Sequence, residues 1–209
     1  MELKNYKIKE NFITEDEKIL VLNWIDKLNH TGSDSNYHLS ELSKSLNGKS
    51  CIFDISQTVY TKYITKFQSL SDVSFDKLPE FICKIQSRIS SEFLVPLDHT
   101  FLQAVDMNRG GKINPHYDAS IPGYINYKCN ISILSEDYYI YIDSQSQRIN
   151  QKDIYCFEAS LYKHWTDEFN SRRVFLSFGF LVPYSFTNRS KEDPRVRLSE
   201  RIQKYFQNI

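Results

Sequence analysis

The chain has 209 residues, 41% of them hydrophobic and 25% charged, and its 26 Lys plus Arg are balanced by 26 Asp plus Glu. That length accommodates one domain with a substantial buried core, and the charge balance excludes the overall basic field that gathers nucleic acid. Four widely spaced cysteines, Cys51, Cys83, Cys129 and Cys156, form no CxxC or similar zinc pattern and are expected as buried free thiols.

The amino terminus, MELKNYKIKENF, alternates charge without an apolar h-region, and no apolar run is long enough to span a bilayer. A soluble, cytoplasmic protein with no membrane partner is expected. Residues 3–13 read as a short strand. Thr14 with Glu17 three positions on forms a capping box, and Ile19, Leu20, Leu22, Trp24, Ile25 and Leu28 then give an apolar face at helical spacing. From His30 to Lys49 the chain is rich in Ser, Asn and Gly, which reads as a surface segment and a possible lid over residues 30–50. CIFDISQTVYTKYITKF is ambiguous between strand and helix. Pro79, followed by Phe81, Ile82, Ile85, Ile89 and Phe93, predicts an amphipathic helix over 79–94.

Beyond Thr100 the pattern changes to short β-like runs: TFLQAVDM, the turn NRGGK, NPHYD, YKCNISIL, YYIYID, DIYCFEA and RRVFLSFGFLVPY. The fourteen Tyr and fourteen Phe suit such strands. Strands following helices predict an α+β protein with a jelly-roll or barrel core. The expected organisation is a single domain, 1–209, with mostly helical support over 1–98, the core over 99–187, and a charged tail with a terminal helix over 188–209.

His116 and Asp118, separated by Tyr117, fall on one face of a strand, because side chains alternate. Two imidazoles and a carboxylate on one face of a ferrous ion leave the opposite positions open, so a third ligand is sought downstream. With five His and 14 Asp, an HxD arises by chance in roughly one third of chains of this composition. The order of elements adds specificity: a strand, a Gly-containing turn, HxD, further strands, then His164 before the arginine-bearing last strand. His99, His30 and His38 compete with His164, but His99 precedes the core strands and the others lie in the polar segment.

QAVDMNRGGKINPHYD and KHWTDEFNSRRVFLSFGF resemble the HxD and distal-histidine segments of the 2-oxoglutarate- and iron(II)-dependent dioxygenase superfamily. IKENFITEDEKILVLNWIDKL and LPEFICKIQSRI are similar to the first strand and support helices of its AlkB-like and prolyl-hydroxylase-like branches. The resemblance implies a double-stranded β-helix, a jelly roll of two antiparallel sheets, with flanking amino-terminal helices. It implies iron(II) held by His116, Asp118 and His164, with 2-oxoglutarate as cosubstrate, dioxygen as oxidant and ascorbate as activator. Arg173, nine residues beyond His164, matches the base that binds the distal carboxylate of 2-oxoglutarate, an arrangement suited to a bidentate guanidinium. Arg172, on the opposite face, is the alternative.

Ser177 shares a strand face with Arg173, and Gln103 and Lys128 join it as expected cosubstrate contacts; Tyr124 and Asn130, with Tyr127, are expected to line the substrate side. Asp118 argues for hydroxylation over halogenation. VDMN, where AlkB-like members carry Asn-x-Tyr, counts against nucleic-acid demethylation. A small polar substrate, such as an amino acid or natural-product intermediate, is therefore favoured over a peptide or protein side chain, with an alkylated nucleobase third. The rival from another class is a non-catalytic jelly-roll module that binds a ligand.

Overall fold

The computed structural model describes residues 6–27, 31–32, 48–54, 78–97, 100–107, 109–118 and 123–184. The first strand, β1 (Tyr6–Lys9), leads into helix α1 (Glu15–Ile25). The capping box forms as its sequence dictates: the Thr14 hydroxyl accepts from the Glu17 N–H, and the Glu17 carboxylate accepts from the Thr14 N–H. The buried stripe of α1 differs from the expected one. Val21 and Ile25, four apart, are fully buried, whereas Ile19 and Leu20 are about half exposed. The helix is therefore rotated so that the stripe through Val21 and Ile25, continued by Glu17 one turn earlier, faces the protein. Helix α2 (Glu80–Phe93) buries Ile82, Ile85, Gln86, Ile89 and Phe93 and ends at Leu94 in the left-handed conformation, φ 56°.

Two short strands precede α2, β2 (Thr31–Gly32) and β3 (Gly48–Asp54). Among the described residues of the amino-terminal part, three strands accompany the two helices. The proposed lid over 30–50 falls mainly outside the described residues, as do the tail and terminal helix over 188–209. Eight further strands follow: β4 (Thr100–Met107), β5 (Ile113–His116), β6 (Tyr124–Leu134), β7 (Tyr138–Ile142), β8 (Gln145–Ile149), β9 (Ile154–Glu158), β10 (His164–Thr166) and β11 (Arg173–Pro183). Gly110, with φ 84°, makes the turn before β5, and Asp143, with φ 52°, makes the tight turn between β7 and β8.

These strands form two antiparallel sheets, ordered β1-β9-β6-β11-β4-β3-β2 and β5-β10-β7-β8. The result is a β-sandwich of jelly-roll type. At the centre of the larger sheet β11 is buried on both faces, which explains why it reads as a nearly continuous apolar run. Alternation divides that run. Val174, Leu176, Phe178, Phe180 and Val182 pack with Cys129, Ile131, Ile154 and Cys156 against the two helices. Phe175 belongs to a second cluster between the sheets, with Val105, Ile140, Tyr155 and Phe157. No helix among the described residues is long and apolar enough to cross a membrane.

Candidate metal centre and its cavity

His116 ends β5 and His164 opens β10, and the two are cross-strand partners with ring centroids 4.2 Å apart. Asp118 lies two residues beyond β5, its backbone N–H held by the carbonyl of Ala159 at 3.0 Å. That anchor turns its carboxylate back towards both imidazoles. His116 Nε2 is 3.2 Å and His164 Nε2 3.7 Å from Asp118 Oδ1, and the three donor atoms lie within 4.8 Å of one another. Cis donors about 2.1 Å from a metal and a right angle apart are separated by about 3 Å. The cluster is close to that spacing, so a six-coordinate divalent ion fits it with small side-chain adjustments.

The protonation states also suit a metal. Burial by itself would push the Asp118 carboxyl up, but the Lys128 ammonium, the hydrogen bond from His116 and the nearby imidazoles together hold it well below the usual carboxylate range. Burial, then the neighbouring His116, lowers His164 to about 3, which leaves it neutral at ordinary pH. Its Nδ1 lies 3.0 Å from the carbonyl of Tyr162, an acceptor only, so Nδ1 carries the proton and Nε2 presents its lone pair. Phe157 packs edge-on against the same ring, 4.7 Å between centroids, and fixes its plane.

Beside the cluster is a partly open cavity lined by Gln103, Ile113, His116, Lys128, Asn130, Ile140, Tyr155, His164, Phe175 and Ser177. The sheet register explains its polar floor. Gln103 is opposite Ser177, Ser177 opposite Asn130, and Asn130 opposite Tyr155, so four strands contribute one polar side chain each to a single rung. The Ser177 hydroxyl and the Asn130 carbonyl oxygen are buried without a hydrogen-bond partner, an arrangement that costs free energy unless a ligand completes it.

Arg173 stands one layer behind this lining. It is completely buried, with Nη2 2.9 Å from the Tyr138 hydroxyl and 3.5 Å from that of Tyr155. Its guanidinium carbon lies 4.2 to 4.5 Å from the ring centres of Tyr138, Phe169 and Phe175. Nε and Nη1 make no hydrogen bond, and no carboxylate among the described residues pairs with it. A buried guanidinium caged by aromatic faces and lacking an anion has the chemistry of a carboxylate receptor. Arg172 faces outwards, where it is bidentate to Asp106 at 2.8 to 2.9 Å and reaches Asp26 at 2.8 Å.

The residues singled out from sequence are distributed as follows. The structure brings His116, Asp118 and His164 together, and Gln103, Lys128, Asn130 and Ser177 line the adjoining cavity. Tyr124 begins β6 opposite Pro183 and is not among the lining residues. Tyr127 packs against the helix-side cluster. Sequence reasoning missed Tyr138 and Tyr155. Both sit in strands that are aromatic throughout, so nothing local sets them apart from core residues.

No family model and no curated protein matches the sequence. Solved structures do match. A Pseudomonas putida prolyl-4-hydroxylase superimposes with a TM-score of 0.54 over 85% of this chain and 92% of its own, at 8% identity. The chain has the fold of a prolyl-4-hydroxylase. The viral collagen prolyl hydroxylase of Paramecium bursaria Chlorella virus-1, solved as a 2-oxoglutarate complex, gives a TM-score of 0.50 at 12% identity, covering 86% of this chain and 97% of its own.

Proposed function

We propose that the chain is an iron(II)- and 2-oxoglutarate-dependent dioxygenase that hydroxylates an unactivated C–H bond. The carrying observation is the pairing of a His116, Asp118 and His164 cluster with a fully buried, anion-free Arg173 that packs directly behind Tyr155 and Phe175 of the adjoining cavity. A structural jelly roll has no use for either. From β4 to β11 the chain changes sheet at every step except the β7–β8 hairpin, which supports our assignment of these strands to a double-stranded β-helix.

In this reading His116, Asp118 and His164 hold iron(II), which supplies dioxygen activation coupled to oxidative decarboxylation of 2-oxoglutarate to succinate. Arg173 binds the distal carboxylate of the cosubstrate, and Ser177 with Tyr155 donates to it from the polar rung. Ile113, Ile140 and Phe175 exclude water from the cavity. Asp118 stays ionised and His164 neutral, so neither ligand needs to lose a proton when iron binds near neutral pH.

For the substrate, a small polar molecule is one reading. A peptidyl side chain is supported equally, because two solved structures that resemble this fold are named as prolyl hydroxylases. Succinate release from 2-oxoglutarate under iron(II), ascorbate and air, measured across amino acids and proline-containing peptides, separates these. The whole reading fails if the purified protein binds neither a divalent metal nor 2-oxoglutarate, and the ligand-binding jelly-roll module then takes its place.

A further inference from the structure

The two oxygens of Asp118 face different partners. Oδ1 is the atom on which both imidazole Nε2 atoms converge, at 3.2 and 3.7 Å. Oδ2 lies 2.7 Å from the ammonium of Lys128. Both side chains are well covered, 14% exposed for Lys128 and 8% for Asp118. Lys128 projects from the middle of β6, and its cross-strand neighbour on β11 is Gly179, which sets no side chain beside the lysine stem. The backbone of Asp118 is already fixed by Ala159, so the remaining freedom of its carboxylate is rotation about its own bonds. The ion pair with Lys128 removes it.

From this geometry we infer that Lys128 is a positioning residue for the metal centre. By occupying Oδ2 it restricts Asp118 to ligation through Oδ1 alone. A carboxylate with both oxygens available can chelate a divalent ion through both and consume an extra coordination position. The 2-oxoglutarate reading needs that position, because cosubstrate and dioxygen must both reach the metal. Lys128 therefore lowers metal affinity, through its charge and by denying the second oxygen, and in return keeps the site open to ligands. This differs from the direct cosubstrate contact that the sequence suggested for Lys128, and it rests on the metal-centre reading above.

Co(II), a spectroscopic stand-in for iron(II), is titrated into metal-free wild type, Lys128→Met and Lys128→Arg, and 2-oxoglutarate is then titrated into each loaded protein. Lys128→Met is expected to bind Co(II) more tightly by about tenfold or more, the order expected for removing one charge beside a divalent ion in a polar cavity. Its d–d spectrum changes before any cosubstrate is added, and 2-oxoglutarate then binds about tenfold more weakly. Lys128→Arg, which keeps the charge on Oδ2, moves both values back towards wild type. Residues that merely support the fold would loosen the metal when removed.

Unchanged or weaker Co(II) affinity in Lys128→Met overturns the inference. Weaker 2-oxoglutarate binding with an unaltered metal spectrum also overturns it and restores the direct contact. Should Lys128→Met fail to fold, Lys128→Leu carries the same test, since it fills the space with neither a charge nor a donor for Oδ2. A wild type that binds no Co(II) or iron(II) defeats the metal-centre reading itself, a result distinct from either.

Discussion

Replacing Arg173 by Met separates binding from stability in a way that ordinary core substitutions do not. Met matches the length of the arginine stem and suits the cage of Tyr138, Phe169 and Phe175. An unpaired buried charge costs several kcal/mol of desolvation. Here three aromatic faces return about 0.5 to 2 kcal/mol each, and one firm hydrogen bond donated to the Tyr138 hydroxyl contributes about 1.5 to 3 kcal/mol. These terms nearly cancel, so Arg173→Met is expected to leave the ligand-free protein within about 1 kcal/mol of wild type, a shift of roughly 2–4 °C in Tm at this chain length. In the 2-oxoglutarate complex, by contrast, the same change strands the distal carboxylate in a buried site and costs about 2–5 kcal/mol, or at least thirtyfold in Kd.

Thermal unfolding with and without 2-oxoglutarate reads both quantities from one preparation. With ligand at a hundred times its wild-type Kd, wild type gains about 2.7 kcal/mol, and Arg173→Met gains about 0.9 kcal/mol or less. A variant that unfolds far more easily than wild type yet keeps the ligand-induced shift would refute the reasoning, because Arg173 would then be a core support and not a carboxylate receptor.

Arg172→Ala should do the reverse, costing about 1 kcal/mol or less because its ion pairs with Asp106 and Asp26 are partly exposed, with metal and 2-oxoglutarate affinities unchanged in titrations. His116→Ala and Asp118→Ala should each lower metal content after equilibrium dialysis by more than about a hundredfold, with circular dichroism unaltered. Ser177→Ala removes a buried hydroxyl without a partner, so unfolding in urea should be unchanged or slightly harder while 2-oxoglutarate binds about fivefold more weakly. Because the folded pKa of His164 is depressed to about 3, the unfolded chain binds the extra proton as pH falls below the ordinary histidine value. The stability it contributes is complete above that value and declines towards pH 3. Urea unfolding of the metal-free protein should therefore lose about 2 kcal/mol between pH 7 and pH 5 through this group, and His164→Gln should show a correspondingly shallower dependence.

The donor cluster was legible because it depends on short-range rules. His116 and Asp118 are two apart, and the distal histidine could be chosen by its place in the strand order. Strand alternation separated Arg173 from Arg172, since adjacent residues must face opposite ways. The polar rung was only half legible. Gln103, Asn130 and Ser177 were noticed one by one, but their alignment is a matter of register between β4, β6 and β11, which no single strand specifies. Tyr155 completes that rung and escaped notice among aromatic neighbours. Two strands also escaped. β8 reads QSQRI and is polar because it is an edge with exposed side chains, and β10 has three residues, too few for any period to show. In α1 the error was rotational: Ile19 and Leu20 are apolar but face outwards, so the hydrophobic pattern was wider than the buried stripe.

The larger sheet is a single layer of backbone, and its two faces serve different masters. Leu176 and Cys129 sit against the helices, while their immediate neighbours Ser177, Lys128 and Asn130 line the cavity. Any slackening of the helix packing is therefore felt one peptide away, at the groups that line the cavity and reach the proposed metal centre. A truncation in α2 such as Ile85→Ala would betray itself as leaky, poorly coupled turnover at temperatures where the chain is still folded. Heat sensitivity of activity and heat sensitivity of structure would then be set by the same helix, with activity failing first.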